Sequence, residues 1–109
     1  MGKLLHDGNE YEFEDRLLAH LKFVIGQKFK KQECFFLSWD IPSVRGNSLV
    51  SVWLSPYIPV TFHFSGSREP QMSKAWVHAL NALSHGSRGL VAMSEEAAEQ
   101  YVKKNPDLM

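Results

Sequence analysis

Five histidines and a single cysteine are the residues of this 109-residue chain that could bind a metal ion. A zinc site needs three or four such ligands around one ion. His78 and His85 fall on one face of a predicted helix, but their separation of seven residues puts them roughly 10 Å apart along its axis. No His-x-x-x-His or Cys-x-x-Cys spacing occurs, and Cys34 has no second cysteine for a disulfide. The sequence therefore predicts no metal site and no cofactor.

Serine, histidine and aspartate side chains could together supply a nucleophile and its base. Ser51 and His63 fall on the same nominal face of the predicted strands, and Asp40 could lie near them. A hydrolase with a nucleophile elbow would carry Gly-x-Ser-x-Gly, which this chain lacks. The sequence SGS at 65–67 is typical of a turn instead. We therefore predict that the protein is not an enzyme.

Anion binding is a third kind of chemistry to test. Gly66, Ser67 and Arg68 precede a predicted helix, and a glycine-containing loop with an arginine in that position can hold a phosphate. The alternative is that Arg68 pairs with Glu69 or with a neighbouring strand. Because neither Gly-x-x-x-x-Gly-Lys nor Gly-x-Gly-x-x-Gly is present, the alternative is preferred.

Charge is distributed unevenly, although twelve basic side chains balance twelve acidic ones. Residues 1–16 carry a net charge of −3, residues 17–93 of +5 and residues 94–109 of −2. The overall balance excludes a strongly polybasic protein, but the central segment could present a local basic face to nucleic acid. The alternative is a solvated helix end whose lysines favour the negative end of the helix dipole. The candidate nucleic-acid contacts are Lys22, Lys28, Lys30, Lys31 and Arg68.

A helix predicted over residues 15–31 places most of its apolar side chains on one face. Phe23 and Gly26 fall on the opposite face, where an aromatic side chain beside a glycine would let a protein partner or a second copy approach closely. The alternative is that another element, such as the C-terminal helix, covers Phe23. Tyr101 on that C-terminal helix is a further candidate partner contact.

Two tryptophans, Trp39 and Trp53, lie near the ends of predicted strands and could form a base-stacking surface. Such surfaces are usually interleaved with lysine or arginine. The predicted strands over 48–54 and 58–64 contain neither. We therefore expect helices to cover both faces of the sheet.

These candidates are positioned by a predicted order of β-β-α-β-β-β-α-β-α. The Asp-Gly-Asn sequence at 7–9 predicts a hairpin of residues 3–6 and 10–14. Alternation and helical periodicity predict strands over 33–39, 48–54, 58–64 and 89–93, and helices over 15–31, 73–86 and 94–104. This order predicts an α+β fold, with a mainly antiparallel sheet and helices packed on it. Residues 1–93 would form the domain, and residues 94–109 a C-terminal helix and short tail that pack on it or extend it.

The composition, with 44% hydrophobic and 22% charged residues, is that of a folded globular protein. The N-terminus turns polar too early for a signal peptide. No apolar run approaches the roughly 20 residues that cross a bilayer. We therefore expect a cytoplasmic protein that does not associate with a membrane.

Several short blocks of the chain are distinctive as a set: EDRLLAHL at 14–21, FLSW at 36–39, VWLSPYIP at 52–59, FHFSGSR at 62–68 and WVHAL at 76–80. Together they resemble an uncharacterised family of small actinobacterial proteins that often carry the label ATP-dependent DNA ligase. The resemblance covers residues 2–93, and the C-terminal helix departs from it. Such ligases are adenylated on the lysine of Lys-x-Asp-Gly. The similar tetrad here is LHDG at 5–8, and Leu5 has no amine to attack ATP.

The resemblance therefore implies a domain of unknown function without ligase activity. Together with Phe23 and Gly26, it leads us to expect a non-catalytic module that binds a protein partner or itself. The alternative hypothesis is a weak nucleic-acid-binding accessory module that uses the central lysines and Arg68 on phosphates.

Overall fold

The N-terminal hairpin forms where the Asp7-Gly8 pair predicts it, in a computed structural model that describes residues 1–105. Asp7 and Gly8 have φ angles of 47° and 82°, the left-handed conformation that a two-residue hairpin turn requires. On either side of this turn, β1 (Gly2–His6) and β2 (Asn9–Phe13) pair antiparallel. The predicted hairpin is therefore confirmed.

The first helix, α1 (Asp15–Lys30), is also confirmed. Its buried face contains four apolar residues and two polar ones: Leu18, His20, Leu21, Val24, Ile25 and Lys28. The helix ends where Gln32 adopts a φ of 61°, which turns the chain toward the next strand. The opposite face of α1 stays open to solvent and includes Phe23, which is 48% exposed. The alternative that the C-terminal helix covers Phe23 is therefore wrong.

The strands divide into two three-stranded sheets, a division that the sequence pattern did not predict. In the first sheet, β1 pairs antiparallel with β2 on one side and with β5 (Val60–His63) on the other. In the second, β3 (Phe35–Ile41) pairs antiparallel with β4 (Ser48–Leu54) and parallel with β6 (Leu90–Val91). The α+β class with mainly antiparallel pairing is confirmed. Pro59, which predicted a strand start or an edge position, precedes the edge strand β5.

Two shorter helices complete the fold. α2 (Lys74–Leu83) begins after Ser73, whose hydroxyl accepts a hydrogen bond from the backbone N–H of Trp76. α3 (Glu95–Lys104) begins after Ser94, which caps it in the same way. α3 packs on α2, with Ala98 fully buried between them and the core. Residues 106–109, the end of the predicted tail, lie outside the described residues.

The core fills the space between the two sheets and the helices. Trp39 on β3 contacts Tyr11 and Phe13 on β2 edge to face, at ring-centroid distances of 5.2 and 4.9 Å. These contacts join the sheets, and Leu4, Leu37 and Leu54 are fully buried around them. No helix of residues 1–105 is long and apolar enough to cross a membrane.

The outer face of the second sheet corrects the expectation that helices cover both faces. Phe36 and Trp53, a directly opposed pair on β3 and β4, remain 44% and 49% exposed. The segment before β6 covers only part of this face, where the backbone carbonyl of Arg88 accepts a hydrogen bond from the Ser38 hydroxyl at 2.8 Å. The helices pack elsewhere: α1 contacts β1, and α2 contacts β6 and the other two helices.

Candidate binding groove

The solvent-facing side of α1 forms one wall of a surface groove. Residues spaced three or four apart share this side, and the opposite wall is the connection from β5 to α2, residues 64–72. The groove has a volume of about 430 Å³. Its α1 wall is formed by Ala19, Lys22, Phe23, Gly26, Gln27 and Lys30, and its loop wall includes Phe64, Arg68, Glu69, Pro70 and Met72.

A second hollow of about 420 Å³ continues the groove between α1 and α2. Phe23, Gln27 and Met72 line both hollows, so the two hollows adjoin at these three residues. We call the whole feature the α1 groove, with a first lobe next to the 64–72 segment and a second lobe next to α2. The second lobe adds Lys31, Lys74, Val77 and His78, among others.

The charge of the α1 groove is predominantly positive. Three cations line the first lobe and two line the second: Lys22, Lys30 and Arg68, then Lys31 and Lys74. Glu69 is the one acidic residue of the lining. Within residues 1–105, none of these five cations forms a salt bridge; the ion pairs there join Lys3 to Glu10 and Arg16 to Glu95. The Lys22 ammonium lies 5.8 Å from the ring centroid of Phe64, close enough for a cation–π contact.

The loop wall is held in place by Asp15, at the start of α1. Its carboxylate accepts hydrogen bonds from the backbone N–H of Ser65 at 3.2 Å, the Ser65 hydroxyl at 2.8 Å and the backbone N–H of Gly66 at 3.0 Å. The hydrogen bonds from Ser65 and Gly66 lower the pKa of Asp15. The backbone N–H groups of Ser65 and Gly66 are therefore occupied by a carboxylate of the same chain, so a phosphate cannot use these two donors.

The boundary between the loop and α2 is held by His20, which is fully buried. Its Nδ1 donates to the backbone carbonyl of Arg16 at 2.7 Å, and its Nε2 accepts from the backbone N–H of Ser73 at 2.8 Å. This pair of bonds requires the neutral ring with its proton on Nδ1. The ring stacks on Trp76 with centroids 4.3 Å apart. Burial lowers the pKa of His20, which favours the same neutral form.

The structure brings together candidates that the sequence analysis had assigned to two different hypotheses. Lys22, Lys30 and Arg68, proposed as nucleic-acid contacts, line the same lobe as Phe23 and Gly26, proposed as partner contacts. Lys31 lines the second lobe. Arg68 has no salt bridge to Glu69 or to a strand within the described part of the chain. The convergence depends on the path of the 64–72 segment, for which the sequence carries no periodic signal.

Two other candidates do not belong to the groove. Lys28 is only 4% exposed, and its ammonium lies 5.3 Å from the ring centroid of Phe35. It cannot contact a phosphate at the surface, because it occupies the buried stripe of α1 together with Val24 and Ile25. Tyr101 is partly buried and packs against the core next to Ala98 and Val102, and it does not line the α1 groove.

Residues that sequence reasoning missed include Asp15, His20 and Lys74. His20 and Lys28 are spaced four residues on either side of Val24, which is the spacing of the buried stripe. This position was the signal that could have identified His20 as a core residue. Nothing in the sequence pattern indicates that Asp15 reaches residue 65.

The catalytic and metal candidates are not assembled into sites. Ser51 lies in the second sheet, where its hydroxyl bonds that of Ser38 at 2.7 Å, whereas His63 lies in the first sheet opposite Lys3. Among residues 1–105, no three His, Cys, Asp or Glu side chains are grouped closely enough to hold a metal ion. Cys34 is free and exposed.

Comparison with known families matches residues 1–95 to a family described as a domain of unknown function (DUF7882). The match ends at the first residue of α3. No curated protein and no solved structure matches the chain.

Proposed function

The chain belongs to this family of domains of unknown function, and we propose that it is a non-catalytic binding module whose α1 groove holds an acidic protein segment carrying a large apolar side chain. One observation carries this proposal: cations that form no salt bridge within residues 1–105 surround an exposed aromatic ring in a preformed groove. Lys22, Lys30 and Arg68 supply the charge of the first lobe, and Phe23 supplies the ring.

The charge of the groove selects for an acidic partner. Five cations face one carboxylate across the two lobes. Complementary charge at the rim of an interface increases the rate of encounter and disfavours basic partners. Each exposed pair adds only about 0.2–1 kcal/mol, so charge alone does not account for binding. An apolar anchor must supply the rest of the binding free energy.

The first lobe provides a place for that anchor. Phe23 is 48% exposed and Met72 is 44% exposed, and Phe64 and Pro70 complete the apolar part of the lining. Gly26 leaves open space between these side chains, because a Cβ built on it would meet no atom within 4 Å. An aromatic or long aliphatic side chain buried here would be the centre of the interface.

The arrangement favours a protein segment over nucleic acid. Single-strand binders align several aromatic faces along a groove that follows the backbone. Here Phe64 already faces the Lys22 ammonium, and Glu69 stands on the rim. The exposed aromatic pair Phe36 and Trp53 lies on β3 and β4, strands that contain no lysine or arginine. Phosphate binding and base stacking would therefore have to occur at separate places.

The proposal is tested with fluorescent synthetic peptides in an anisotropy titration. The probe is a dodecapeptide in which glutamates flank one tryptophan, and the comparison peptides replace the tryptophan with alanine or the glutamates with serine. We expect the first peptide to bind more tightly than either comparison peptide, because it alone offers both charge and anchor. If a mixed-sequence single-stranded DNA oligonucleotide binds with a steep salt dependence while the peptide does not, the nucleic-acid alternative replaces this proposal.

Two matched pairs of variants locate the binding site. Gly26→Leu fills the first lobe and should weaken the peptide roughly tenfold or more, whereas Gly26→Ala adds one methyl group in open space and should change affinity little. Lys22→Glu with Lys30→Glu should weaken binding roughly tenfold, whereas Lys103→Glu with Lys104→Glu on α3 should not. Leucine is a strong helix former, so all variants should fold. Equal effects within either pair would contradict the assignment of the groove.

A further inference from the structure

The edge strand β4 lacks the features that prevent sheet edges from pairing with another chain. Within residues 1–105, β4 pairs only with β3. Its seven residues include no charged residue, no proline and no glycine. Natural edge strands usually avoid pairing with another chain because they contain charged residues or proline, or because they are very short. β4 therefore presents a long row of backbone donors and acceptors without protection.

The other sheet edges of the molecule are protected, which makes β4 exceptional. β2 carries Glu10 and Glu12. β5 has four residues and follows Pro59, and β6 has two residues. Each of these edges has a charge, a proline or a short length that prevents pairing. β4 also carries exposed apolar side chains, since its Leu49 is 52% exposed and its Trp53 is 49% exposed.

The sequence of β4 is close to a palindrome about Ser51. In an antiparallel pair centred there, Leu49 would face Trp53 of the second copy, and Val50 would face Val52 of the second copy. A second copy matches the strand in this way, since every apolar residue except Leu54, which would face Ser48, meets an apolar residue on the same face of the sheet. The serine at the centre would meet its own symmetry mate, a small side chain whose hydroxyl is already bonded to that of Ser38.

We propose that two copies of the chain associate through β4 to form a continuous six-stranded sheet. A two-fold axis perpendicular to the sheet would pass beside Ser51, and the strand order would be β6-β3-β4-β4-β3-β6. On the outer face, the Trp53 ring of one copy would cover Leu49 of the other, next to the Phe36 that Trp53 already contacts at 4.9 Å. The surface involved is independent of the α1 groove, since the two share no residue.

This interface is small, so its stability depends on concentration. Two paired strands of seven residues bury less area than permanent dimers do. We expect sedimentation velocity to show the 12.5 kDa monomer at low concentration and a species of twice that mass at high concentration. Leu49→Lys should keep the protein monomeric by placing a charge against the tryptophan of the partner. Leu83→Lys, at an exposed leucine on α2, should not.

A cysteine at the symmetry axis tests the register. In a background with Cys34→Ser, Ser51→Cys would place two thiols on directly opposed residues, whose Cα atoms lie about 4.5–5.5 Å apart in an antiparallel pair, within disulfide reach. Mild oxidation should cross-link it roughly tenfold faster than Thr61→Cys, on the edge of β5. Circular dichroism confirms that each variant is folded. A monomer at millimolar concentration, or equal cross-linking rates for the two cysteines, would overturn the proposal.

Discussion

Gly89 and Gly26 differ in what surrounds them, and this difference predicts opposite effects of the same substitution. Gly89 has a φ of 71°, and a Cβ on it would lie 2.4 Å from the backbone oxygen of Phe36. Gly89→Ala should therefore lower the free energy of unfolding by roughly 2–4 kcal/mol, through left-handed strain and a clash with backbone that cannot move away. Gly26 is helical and open, so Gly26→Ala should raise it by about 0.5–1 kcal/mol. Urea denaturation of both variants measures the free energy of unfolding. A change of the same sign in the two variants would contradict the packing around Gly89.

Two polar side chains on the buried face of α1 show what residue type alone does not reveal. Lys28 is 4% exposed and His20 is fully buried. Lysine and histidine are usually exposed or half-exposed. The sequence analysis therefore places Lys28 at the surface and gives His20 no role. The local environment of each side chain explains its burial. The Lys28 ammonium faces an aromatic ring, and both His20 nitrogens have hydrogen-bond partners, which offsets the cost of burial.

At the scale of elements, Asp15 ties the start of α1 to the loop that forms the groove wall. Asp15→Asn replaces one of the two acceptor oxygens by an amide N–H₂, which would face either the Ser65 N–H or the Gly66 N–H together with the Ser65 hydroxyl. We expect the amide hydrogens of Ser65 and Gly66 to exchange roughly tenfold faster in this variant, because their acceptor is weakened. The thermal unfolding midpoint should also fall.

Glu14→Gln is the matched control for Asp15. Glu14 is the neighbouring carboxylate at the N-cap position of α1, and its side chain makes no capping hydrogen bond. Its removal should leave exchange at positions 65 and 66 unchanged. If both substitutions accelerate exchange equally, the effect comes from the charge at the helix terminus, and Asp15 has no specific tethering role.

The elements were predictable to the extent that local sequence determines them. Hairpin, helices and serine caps follow from the turn residues, the periodicity and the capping residues, although β3 begins two residues later than predicted. The division into two sheets did not follow, because pairing between strands distant in sequence leaves no local pattern. Likewise Phe23 and Gly26 were identifiable on the open face of α1, whereas the wall contributed by residues 64–72 was not.

At the scale of the whole molecule, the balanced charge count conceals a separation in space. The central segment supplies the five cations that line the α1 groove. Among the acidic residues of the two ends, Asp15 and Glu95 are engaged inside the protein, one with the 64–72 segment and the other with Arg16. The engaged carboxylates stabilise the fold, whereas none of the five groove cations forms a salt bridge within residues 1–105.

The pH dependence of stability follows from three groups that hold fewer protons when folded than when unfolded. Hydrogen bonds from Ser65 and Gly66 lower the pKa of Asp15, the Arg16 guanidinium lowers the pKa of Glu95, and burial lowers the pKa of His20. Wherever the unfolded chain binds more protons than the folded chain, the free energy of unfolding falls as the pH falls. All three groups therefore act in the same direction.

The free energy of unfolding should fall in two stages as the pH is lowered. As the pH falls below about 6.5, the ordinary pKa of histidine, the unfolded chain protonates its residue 20 while the folded chain holds that ring neutral between Arg16 and Ser73. A second loss follows below roughly pH 4.5, where unfolded carboxylates take up protons.

Urea denaturation between pH 8 and 3 measures both stages. His20→Gln should flatten the profile between pH 7 and 5, whereas His63→Gln, at an exposed histidine on β5, should not. A profile that keeps its first stage without His20 would assign that stage to another group and leave His20 a packing role alone.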